Sequence, residues 1–323
     1  MNKKTTSKAQ QKFTRFRAYQ LGSAGSSFSY FDGQHITLIE ARYTDVNRES
    51  IELELKACGR DRIDTLHITS WDQDHCSPKQ LQQIIEYYHP SKIEYPGYEP
   101  HTDSGKESQK TILDFKRLPN GPKRLVQVTP AYIASLKMAE RYSYEHILYH
   151  PKFIDPDSSN NNSTVKQFRT GSFNVLSLGD VESTHISAGL RRLRTINRET
   201  DIMIMAHHGA DNGFTTSAFL KTTSPTIAIA TANYDNQFEH PKPAIQRLLH
   251  KFDIRLFTTK TGDVVVCSLP PHTGKYQIIN LKAGSTEISS QYTAWSKKSR
   301  FLAHNADSLR NRRLSRNRGP KRY

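Results

Sequence analysis

The sequence has few cysteines and no long hydrophobic run, and both absences restrict what the protein can be. Its 323 residues include three cysteines, Cys58, Cys76 and Cys267, without CxxC spacing. This pattern argues against a disulfide framework and for a reducing compartment. No apolar run approaches the roughly 18 residues of a membrane span, and the first residues lack the apolar core of a signal peptide. The expectation is a soluble, cytoplasmic protein without a membrane span.

Charge is distributed unevenly along the chain. The net charge is +15, with 46 Lys and Arg against 31 Asp and Glu. Residues 1–17 hold six basic and no acidic side chains, residues 291–323 hold ten basic and one acidic, and residues 18–290 hold 30 of each. Segments so basic and so poor in apolar residues cannot bury enough surface to fold alone. We therefore predict basic, flexible extensions at 1–17 and 291–323 around a folded domain over 18–290.

The basic ends have two interpretations. They are either solvated segments that increase solubility, or tethers that bind nucleic-acid phosphates by releasing counterions. The arginines of the C-terminal segment favour the second interpretation, because guanidinium pairs with phosphate bidentately. The predicted nucleic-acid-binding residues are Lys297, Lys298, Arg300, Arg310, Arg312, Arg313, Arg316 and Arg318.

Apolar segments of strand length alternate with amphipathic segments of helix length, which predicts an α/β fold. Strands are expected within 35–41, 63–69, 146–151, 172–180, 201–209 and 226–233, and near the C-terminal end in RLFTT, DVVVCSL and YQIINL. Helices are expected over 48–59, after Ser77 with Pro78 in the first position, over 133–142 and over 186–196. Most of residues 89–165 is weakly patterned and is expected to be rich in loops.

Polar side chains follow several of these apolar segments directly. They are Asp72, Asp74, His75, Asp180, His207 and His208. Ligands gather beyond the carboxyl ends of strands in open α/β sheets, so three strand ends would bring these groups together. Two kinds of donor, carboxylate and imidazole, suit a divalent metal ion. Taken singly, each motif also fits a turn or a helix cap, but their combination in this order favours a metal site.

The same motifs resemble those of a known family. SWDQDH at 70–75 resembles the H-x-D-x-D-H motif of the ComEC-like branch of the metallo-β-lactamase-fold hydrolases, the hydrolase domains of competence DNA-uptake proteins. NNNST at 160–164 leading to SLGD at 177–180, AHHGA at 206–210 and NYDNQFEHP at 233–241 follow in the family's order, and GSAGS at 22–26 loosely resembles its early GQGD turn. The resemblance spans about residues 17–281. The basic ends and the family's membrane channel lie outside it.

The resemblance implies a four-layer αββα sandwich, here a metallo-β-lactamase-like hydrolase domain over 18–290, and hydrolysis of phosphodiesters. Carried over residue by residue, Asp74, His75, Asp180 and His207 would hold one metal ion. Asp72 and Asp180 would serve a second. His208 and His240 would act with Asp74 in catalysis, by orienting substrate or assisting the leaving oxygen.

This sequence departs from the family at Ser70, which stands where the family has its first histidine. We therefore expect one tightly bound divalent ion (Mn, Zn or Mg) and a weak second one. The predicted function is a metal-dependent nuclease, acting on DNA in preference to RNA. Two alternatives stay open: a catalytically degenerate subunit that binds nucleic acid or a protein partner in a larger assembly, and a small-molecule phosphodiesterase.

Overall fold

Two β-sheets packed face to face form the centre of the fold. The computed structural model describes residues 11–118, 121–136 and 145–299. Its strands are β1 (Arg15–Ala18), β2 (Phe28–Phe31), β3 (Ile36–Ile39), β4 (Thr65–His67), β5 (Lys92–Pro96), β6 (Arg124–Val128), β7 (Ile147–His150), β8 (Val165–Phe168), β9 (Val175–Ser177), β10 (Ile202–Ile204), β11 (Ile227–Ala230), β12 (Arg255–Thr258), β13 (Val264–Ser268), β14 (Lys275–Leu281) and β15 (Ile288–Trp295). Within these residues, one sheet has the order β15-β14-β13-β1-β2-β3-β4-β5-β6 and the other β12-β11-β10-β9-β8-β7.

The α-helices cover the two outer faces. They are α1 (Arg48–Ala57), α2 (Pro78–Tyr88), α3 (Asp103–Lys116), α4 (Pro130–Ser135), α5 (Thr184–Leu190), α6 (Arg194–Glu199), α7 (Ser217–Thr223) and α8 (Pro243–Lys251). Local chemistry explains where several helices begin. The Thr102 hydroxyl accepts from the Gly105 amide at the start of α3, and Pro78 occupies the first turn of α2. No helix among the described residues has the length and apolar character needed to cross a bilayer.

Three of the four apolar clusters in the described residues separate four layers, and the fourth joins α4 to the edge strands β6 and β7. One core packs the larger sheet against helices through Leu38, Leu66, Ile84 and Ile112. A second packs the smaller sheet against its own helices, and a third, rich in Phe and Ile, lies between the two sheets. Along β10 the side chains alternate between the second and third cores, as a strand buried on both faces requires. The fold is therefore the αββα metallo-β-lactamase sandwich that the resemblance implies.

Parallel strands direct two sets of loops to one edge of the sandwich. Strands β3 to β6 are parallel in the larger sheet, and β9 to β12 are parallel in the smaller one. The segments that follow β3, β4, β9, β10 and β11 contain the acids and histidines considered below. Their convergence follows from the rule that polar sites form beyond the carboxyl ends of parallel strands.

The N-terminal boundary predicted at residue 17 is corrected by the sheet. Strand β1 lies inside the larger sheet, paired with β2 on one side and β13 on the other. The two arginines that contributed to the basic count are neutralised within the fold: Arg15 lies 2.8 Å from Glu54, and Arg17 lies 2.7 Å from Asp263. Their charges therefore belong to the folded domain.

The C-terminal boundary predicted at residue 290 is also corrected. Strand β15 continues to Trp295 in pairs with β14, and the next residues lie against the smaller sheet. Lys297 donates its backbone N–H to Asp201 at 2.7 Å and its ammonium to the Thr223 carbonyl at 2.8 Å. Buried Lys298 donates to the Arg169 carbonyl and to Asn174 Oδ1, each at 2.7 Å.

Lys297 and Lys298 are therefore structural, which corrects their predicted role as nucleic-acid contacts. The other predicted contacts, Arg300, Arg310, Arg312, Arg313, Arg316 and Arg318, lie outside the described residues.

Two other expectations need correction. The helix predicted over 186–196 is two helices, α5 and α6, because Leu193 between them is extended. Residues 89–165, expected to be rich in loops, contain β5, α3, β6 and α4 in addition to β7, which lies where a strand was predicted. Of the helix predicted over 133–142, the start belongs to α4, and residues 137–142 lie outside the described range.

The burial of Lys298 leads to a test of fold stability. We expect Lys298→Met to lower the free energy of unfolding by about 1–3 kcal/mol, because two buried acceptors lose a charged donor. Urea denaturation measures this change. The matched control, Lys275→Met at an exposed position of β14, should change it by less than about 0.5 kcal/mol. Equal unfolding midpoints for the two variants would contradict a structural role for Lys298.

Candidate metal centre

Four side chains from three strand ends converge at the open edge of the sandwich. Asp74, His75, Asp180 and His208 each contribute one ligand atom, and these atoms lie within 4.8 Å of one another. In the part of the chain that the structure describes, this is the one such group of three or more acids and histidines. Residues more than 130 positions apart in sequence thus meet at a single point.

Asp74 and His75 lie in a tight turn after β4. The Asp72 carbonyl accepts from the amides of His75 at 2.9 Å and Cys76 at 2.8 Å, which closes the turn just before α2. The β1–β2 loop supports it from the other side: the Ser26 amide donates to the Asp74 carbonyl at 3.0 Å. Gly25 makes this approach possible, because a Cβ there would collide with the same carbonyl oxygen.

His208 is positioned by an unusual backbone just beyond β10. His207 and His208 have φ of 45° and 56°, in the left-handed region that few residues other than glycine adopt. The His207 amide donates to the Gly179 carbonyl at 3.0 Å, which ties this turn to the segment carrying Asp180. The strained turn directs His208 inward, toward the carboxylates of the other strand ends.

Each imidazole in the cluster has its Nδ1 beside an oxygen acceptor and its Nε2 toward the carboxylates. His75 Nδ1 lies 3.2 Å from Glu40 Oε1 and 3.4 Å from the Thr69 hydroxyl. Thr69 in turn holds Glu40, donating its hydroxyl at 2.6 Å and its amide at 3.0 Å. His208 Nδ1 lies 3.1 Å from the Thr231 carbonyl. Metal-binding histidines are usually oriented in this way, since the acceptor fixes the tautomer that leaves Nε2 unprotonated.

The distances around the Nε2 atoms indicate a cation site. His75 Nε2 lies 2.9 Å from Asp180 Oδ2, and His208 Nε2 lies 3.2 Å from Asp74 Oδ2. His75 Nε2 is buried and, despite this short distance, makes no hydrogen bond of acceptable geometry. A buried nitrogen without a hydrogen bond is costly, and a cation between it and the carboxylates would satisfy both. The donor set, two carboxylates and two imidazoles, fits a divalent ion such as Zn²⁺ or Mn²⁺.

The electrostatics keep both acids ionised. Burial alone would raise the pKa of Asp74, but His75 and His208 hold it well below the ordinary value. Burial likewise opposes ionisation of Asp180, and the same two imidazoles lower its pKa. The imidazoles have this effect as cations: burial opposes their protonation, but Asp180 and Asp74 raise the pKa of both His75 and His208. The two carboxylates are therefore negative near neutral pH, and a bound divalent ion would take the place of the imidazole protons.

A pocket of about 210 Å³ opens above the cluster. Its walls include Asp72, Asn160, His207, Phe238 and His240. The rings of His207 and His240 stack at 5.8 Å with 16° between their planes. Burial, followed by the neighbouring His208 and His207, lowers the pKa of His240 to about 4, so this ring is neutral near pH 7.

The structure places the predicted site residues in two groups. It brings together Asp74, His75 and Asp180, and adds His208, which was predicted to act in catalysis rather than as a ligand. Asp72 lies at the pocket wall instead, where its Oδ2 accepts from Ser70 at 2.9 Å and Ser159 at 3.0 Å.

His207, a predicted ligand, points its Nδ1 to Glu182 at 2.6 Å and lies beside the four-residue cluster rather than in it. His240 lines the pocket, and its predicted role near substrate stays a prediction.

Ser70 has its own partners where the family has a histidine. Its hydroxyl lies 3.0 Å from the Tyr98 hydroxyl and donates to Asp72. The Tyr98 hydroxyl also accepts from the Trp71 amide at 3.1 Å. These contacts connect Asp72 to the protein through hydroxyl groups.

Sequence reasoning missed Glu40 and Thr231. Glu40 had a usable signal, because it is an acid placed directly after the apolar run of β3, the same pattern that singled out Asp180. Thr231 had none, since it acts partly through a backbone carbonyl that any residue could supply.

Parts of the chain are similar to known proteins. The chain is 23% identical over 231 residues to ComE operon protein 3 of Bacillus subtilis (strain 168), a match that covers 69% of this chain and 27% of that protein. Over this region the chain resembles ComE operon protein 3, in line with the ComEC-like order of its motifs. Competence protein ComA of Neisseria gonorrhoeae is 32% identical over 63 residues, which is 20% of this chain and 9% of that protein.

The match to ComE operon protein 3 thus covers only about a quarter of that protein's length. Among solved structures, Igni18, a metallo hydrolase from Ignicoccus hospitalis KIN4/I, has 12% sequence identity and a TM-score of 0.45, with 78% of this chain and 98% of that chain covered. No family model matches the sequence.

The geometry leads to a prediction on metal stoichiometry. We expect calorimetric titration with Mn²⁺ or Zn²⁺ to show one tight ion, because the described residues offer one set of four converging donors. Asp180→Asn should weaken binding of this ion by more than about 10- to 100-fold, the loss typical when a residue that only orients a metal ligand is replaced. Asp72→Asn is the matched control and should retain tight binding. Two equally tight ions, or equal losses in both variants, would refute this arrangement.

A second prediction concerns Glu40. Glu40→Gln keeps the size of the side chain but removes the charge beside His75, so we expect metal affinity to fall about tenfold or more. The control is Glu182→Gln, which alters the partner of His207 outside the cluster and should have a smaller effect. Circular dichroism checks that both variants fold. Wild-type affinity in folded Glu40→Gln would show that this contact does not orient His75.

Proposed function

We propose that this chain is a metal-dependent phosphodiester hydrolase that acts on nucleic acid, with DNA as the preferred substrate. One observation carries the proposal: two carboxylates and two imidazole nitrogens from distant strand ends lie within 4.8 Å of one another at the base of an open pocket. The order of the motifs and the similarity to ComE operon protein 3 support the same class of reaction.

In this proposal Asp74, His75, Asp180 and His208 hold the divalent ion. When bound, such an ion lowers the pKa of water and stabilises negative charge on a phosphoryl oxygen. Glu40 and Thr231 keep the two imidazole rings in the orientation that leaves Nε2 available. The protein therefore supplies a preorganised site whose ligands need no rearrangement during reaction.

His240 and His207 face the substrate in this arrangement. Neutral His240 has one N–H donor and one nitrogen lone pair, and its Nδ1 is buried without a hydrogen bond. It is therefore suited to orient a phosphoryl oxygen or to pass a proton to the leaving oxygen. His207 is held through Glu182 and lies parallel to His240, which fixes the wall of the pocket.

A polyanionic substrate agrees with the charge outside the described fold. Residues 300–323 hold eight Lys and Arg and one acid, and residues 1–10 hold three lysines and no acid. We propose that these segments hold nucleic acid near the site through its phosphates. The free cysteines Cys58, Cys76 and Cys267 are consistent with a reducing, cytoplasmic location.

One observation favours a second candidate, a subunit that binds nucleic acid or a partner protein without cleaving it. Ser70 replaces a ligand of the family, and Asp72 is engaged by the Ser70 and Ser159 hydroxyls. A centre reduced in this way would bind a metal ion and have lost turnover. A small-molecule phosphodiesterase is the third possibility, and it would have no need of the basic segments.

A nuclease assay tests these candidates. We expect cleavage of labelled DNA in at least one metal of a panel containing Mn²⁺, Mg²⁺ and Zn²⁺, and loss of cleavage in Asp74→Ala, because that carboxylate faces His208 in the cluster. Linear, circular and single-stranded DNA, RNA and a small phosphodiester are compared. The matched control is Asp45→Ala, whose carboxylate is 96% exposed, and it should keep full activity.

Other outcomes of this assay discriminate clearly. Binding of DNA without cleavage in any metal would favour the degenerate subunit. Turnover of the small phosphodiester alone would favour the third candidate. Equal cleavage by wild-type protein and Asp74→Ala would exclude the proposed centre as the source of activity.

A further inference from the structure

Two exposed aromatic side chains lie on the loop that borders the pocket. Tyr234 is 74% exposed, the largest value among the large hydrophobic residues in the described parts of the chain, and Phe238 is 56% exposed. The loop runs from the end of β11 to the start of α8, and Ala232, Asn233, Asn236, Phe238 and His240 all line the pocket. Single exposed aromatics are common on protein surfaces, but a pair beside a candidate active site is not explained by packing.

Phe238 is continuous with the cluster through a series of rings. Its centroid lies 5.7 Å from that of His240, and the His240 centroid lies 6.3 Å from that of His208. His208 faces Asp74 and Asp180. Phe238 is therefore two ring contacts away from His208, at the wall of the same pocket.

Internal hydrogen bonds hold this loop in shape. Asn236 donates through Nδ2 to the carbonyls of Asn233 and His240, each at 3.1 Å, and its Oδ1 accepts from the His240 amide at 2.5 Å. A rigid aromatic face binds with less loss of conformational entropy than a mobile one. These bonds hold the backbone on both sides of Phe238, which is exposed at the pocket entrance.

The charges on the loop indicate what it contacts. Asp235 and Glu239 flank the two aromatic residues, and Glu239 is only loosely paired with Lys242 at 3.7 Å. Acids here would repel phosphate groups, so the loop is unsuited to follow a nucleic-acid backbone. Its neutral, planar rings are suited to the faces of bases.

We infer that Phe238, supported by Tyr234, stacks on the base of a nucleotide next to the scissile phosphate. This inference rests on the proposed function and specifies its substrate class: a nucleic acid with an unpaired base at the site. In a duplex the faces of the bases are covered by their neighbours, whereas in single strands, ends and loops they are accessible. Base–aromatic stacking tolerates any sequence, because every base has a flat face.

The test compares two single-stranded DNA oligonucleotides that differ at one nucleotide. Both contain a single cleavable phosphodiester linkage, and all their other linkages are resistant to cleavage. Next to the cleavable linkage, one oligonucleotide carries a normal base and the other carries an abasic sugar. The metal is the one that is most active in the nuclease assay. We expect wild-type protein to have a kcat/KM about fivefold or more higher on the base-containing substrate.

Phe238→Ala should reduce this ratio toward one, whereas Phe238→Trp should restore it, because tryptophan presents a larger stacking face. Tyr234→Ala should reduce it partially. The matched control is Tyr87→Ala, an aromatic that is 59% exposed on α2, and it should leave the ratio at its wild-type value.

The outcomes separate this inference from the function on which it rests. If no oligonucleotide is cleaved by wild-type protein, the proposed function fails. If both substrates are cleaved equally, or if Phe238→Ala keeps the wild-type ratio, the stacking inference is overturned while the hydrolase stands. If duplex interiors are cleaved as fast as single strands, the preference for unpaired bases is refuted.

Discussion

The orientation of two imidazole rings is the constraint on which the rest of this site depends. The Nδ1 atom of His75 lies beside the Glu40 carboxylate, and the Nδ1 atom of His208 lies beside the Thr231 carbonyl. Those contacts orient the two rings, so that both Nε2 atoms face the carboxylates of Asp74 and Asp180. The strained backbone of His208 and the close approach of Gly25 are costs that the fold accepts to maintain this arrangement.

Buried charge also connects the two sheets away from the site. Glu94 on β5 accepts from Lys166 on β8 at 2.5 Å, so one ion pair bridges the sandwich. Burial would raise the pKa of Glu94, but Lys166 and the neighbouring His67 hold it well below its ordinary value. An ion pair in an apolar interface contributes more to specificity than to stability, since desolvation offsets most of the attraction. We interpret the Glu94–Lys166 pair as a feature that fixes the position of one sheet relative to the other. That position in turn sets where the strand ends of the two sheets meet.

The strands and helices with strong local patterns were predictable. Strand β10, with apolar residues on both faces, and helix α2, with Pro78 in its first turn, lie where the sequence indicates. Strand β1 was not predictable, because RFRA looks like part of a basic tail until Glu54 and Asp263 are known to lie beside its arginines. The same holds for Lys298, whose burial depends on the carbonyl of Arg169, far away in sequence. A count of charges cannot distinguish a paired charge from a solvated one.

The amino-acid sequence by itself determined the class of fold, the strand ends that carry chemistry and three members of the cluster, Asp74, His75 and Asp180. The fold class and the strand ends follow from local rules, because hydrophobic periodicity and the position of polar residues after strands are written into short segments. The choice of these three residues as ligands came from the resemblance of the motifs to the ComEC-like family. Only the tertiary structure decided that His208 rather than His207 enters the cluster, and that Asp72 is held by hydroxyl groups instead. Adjacent histidines are equivalent in a pattern, and the left-handed backbone that directs one of them inward is set by contacts with distant strands.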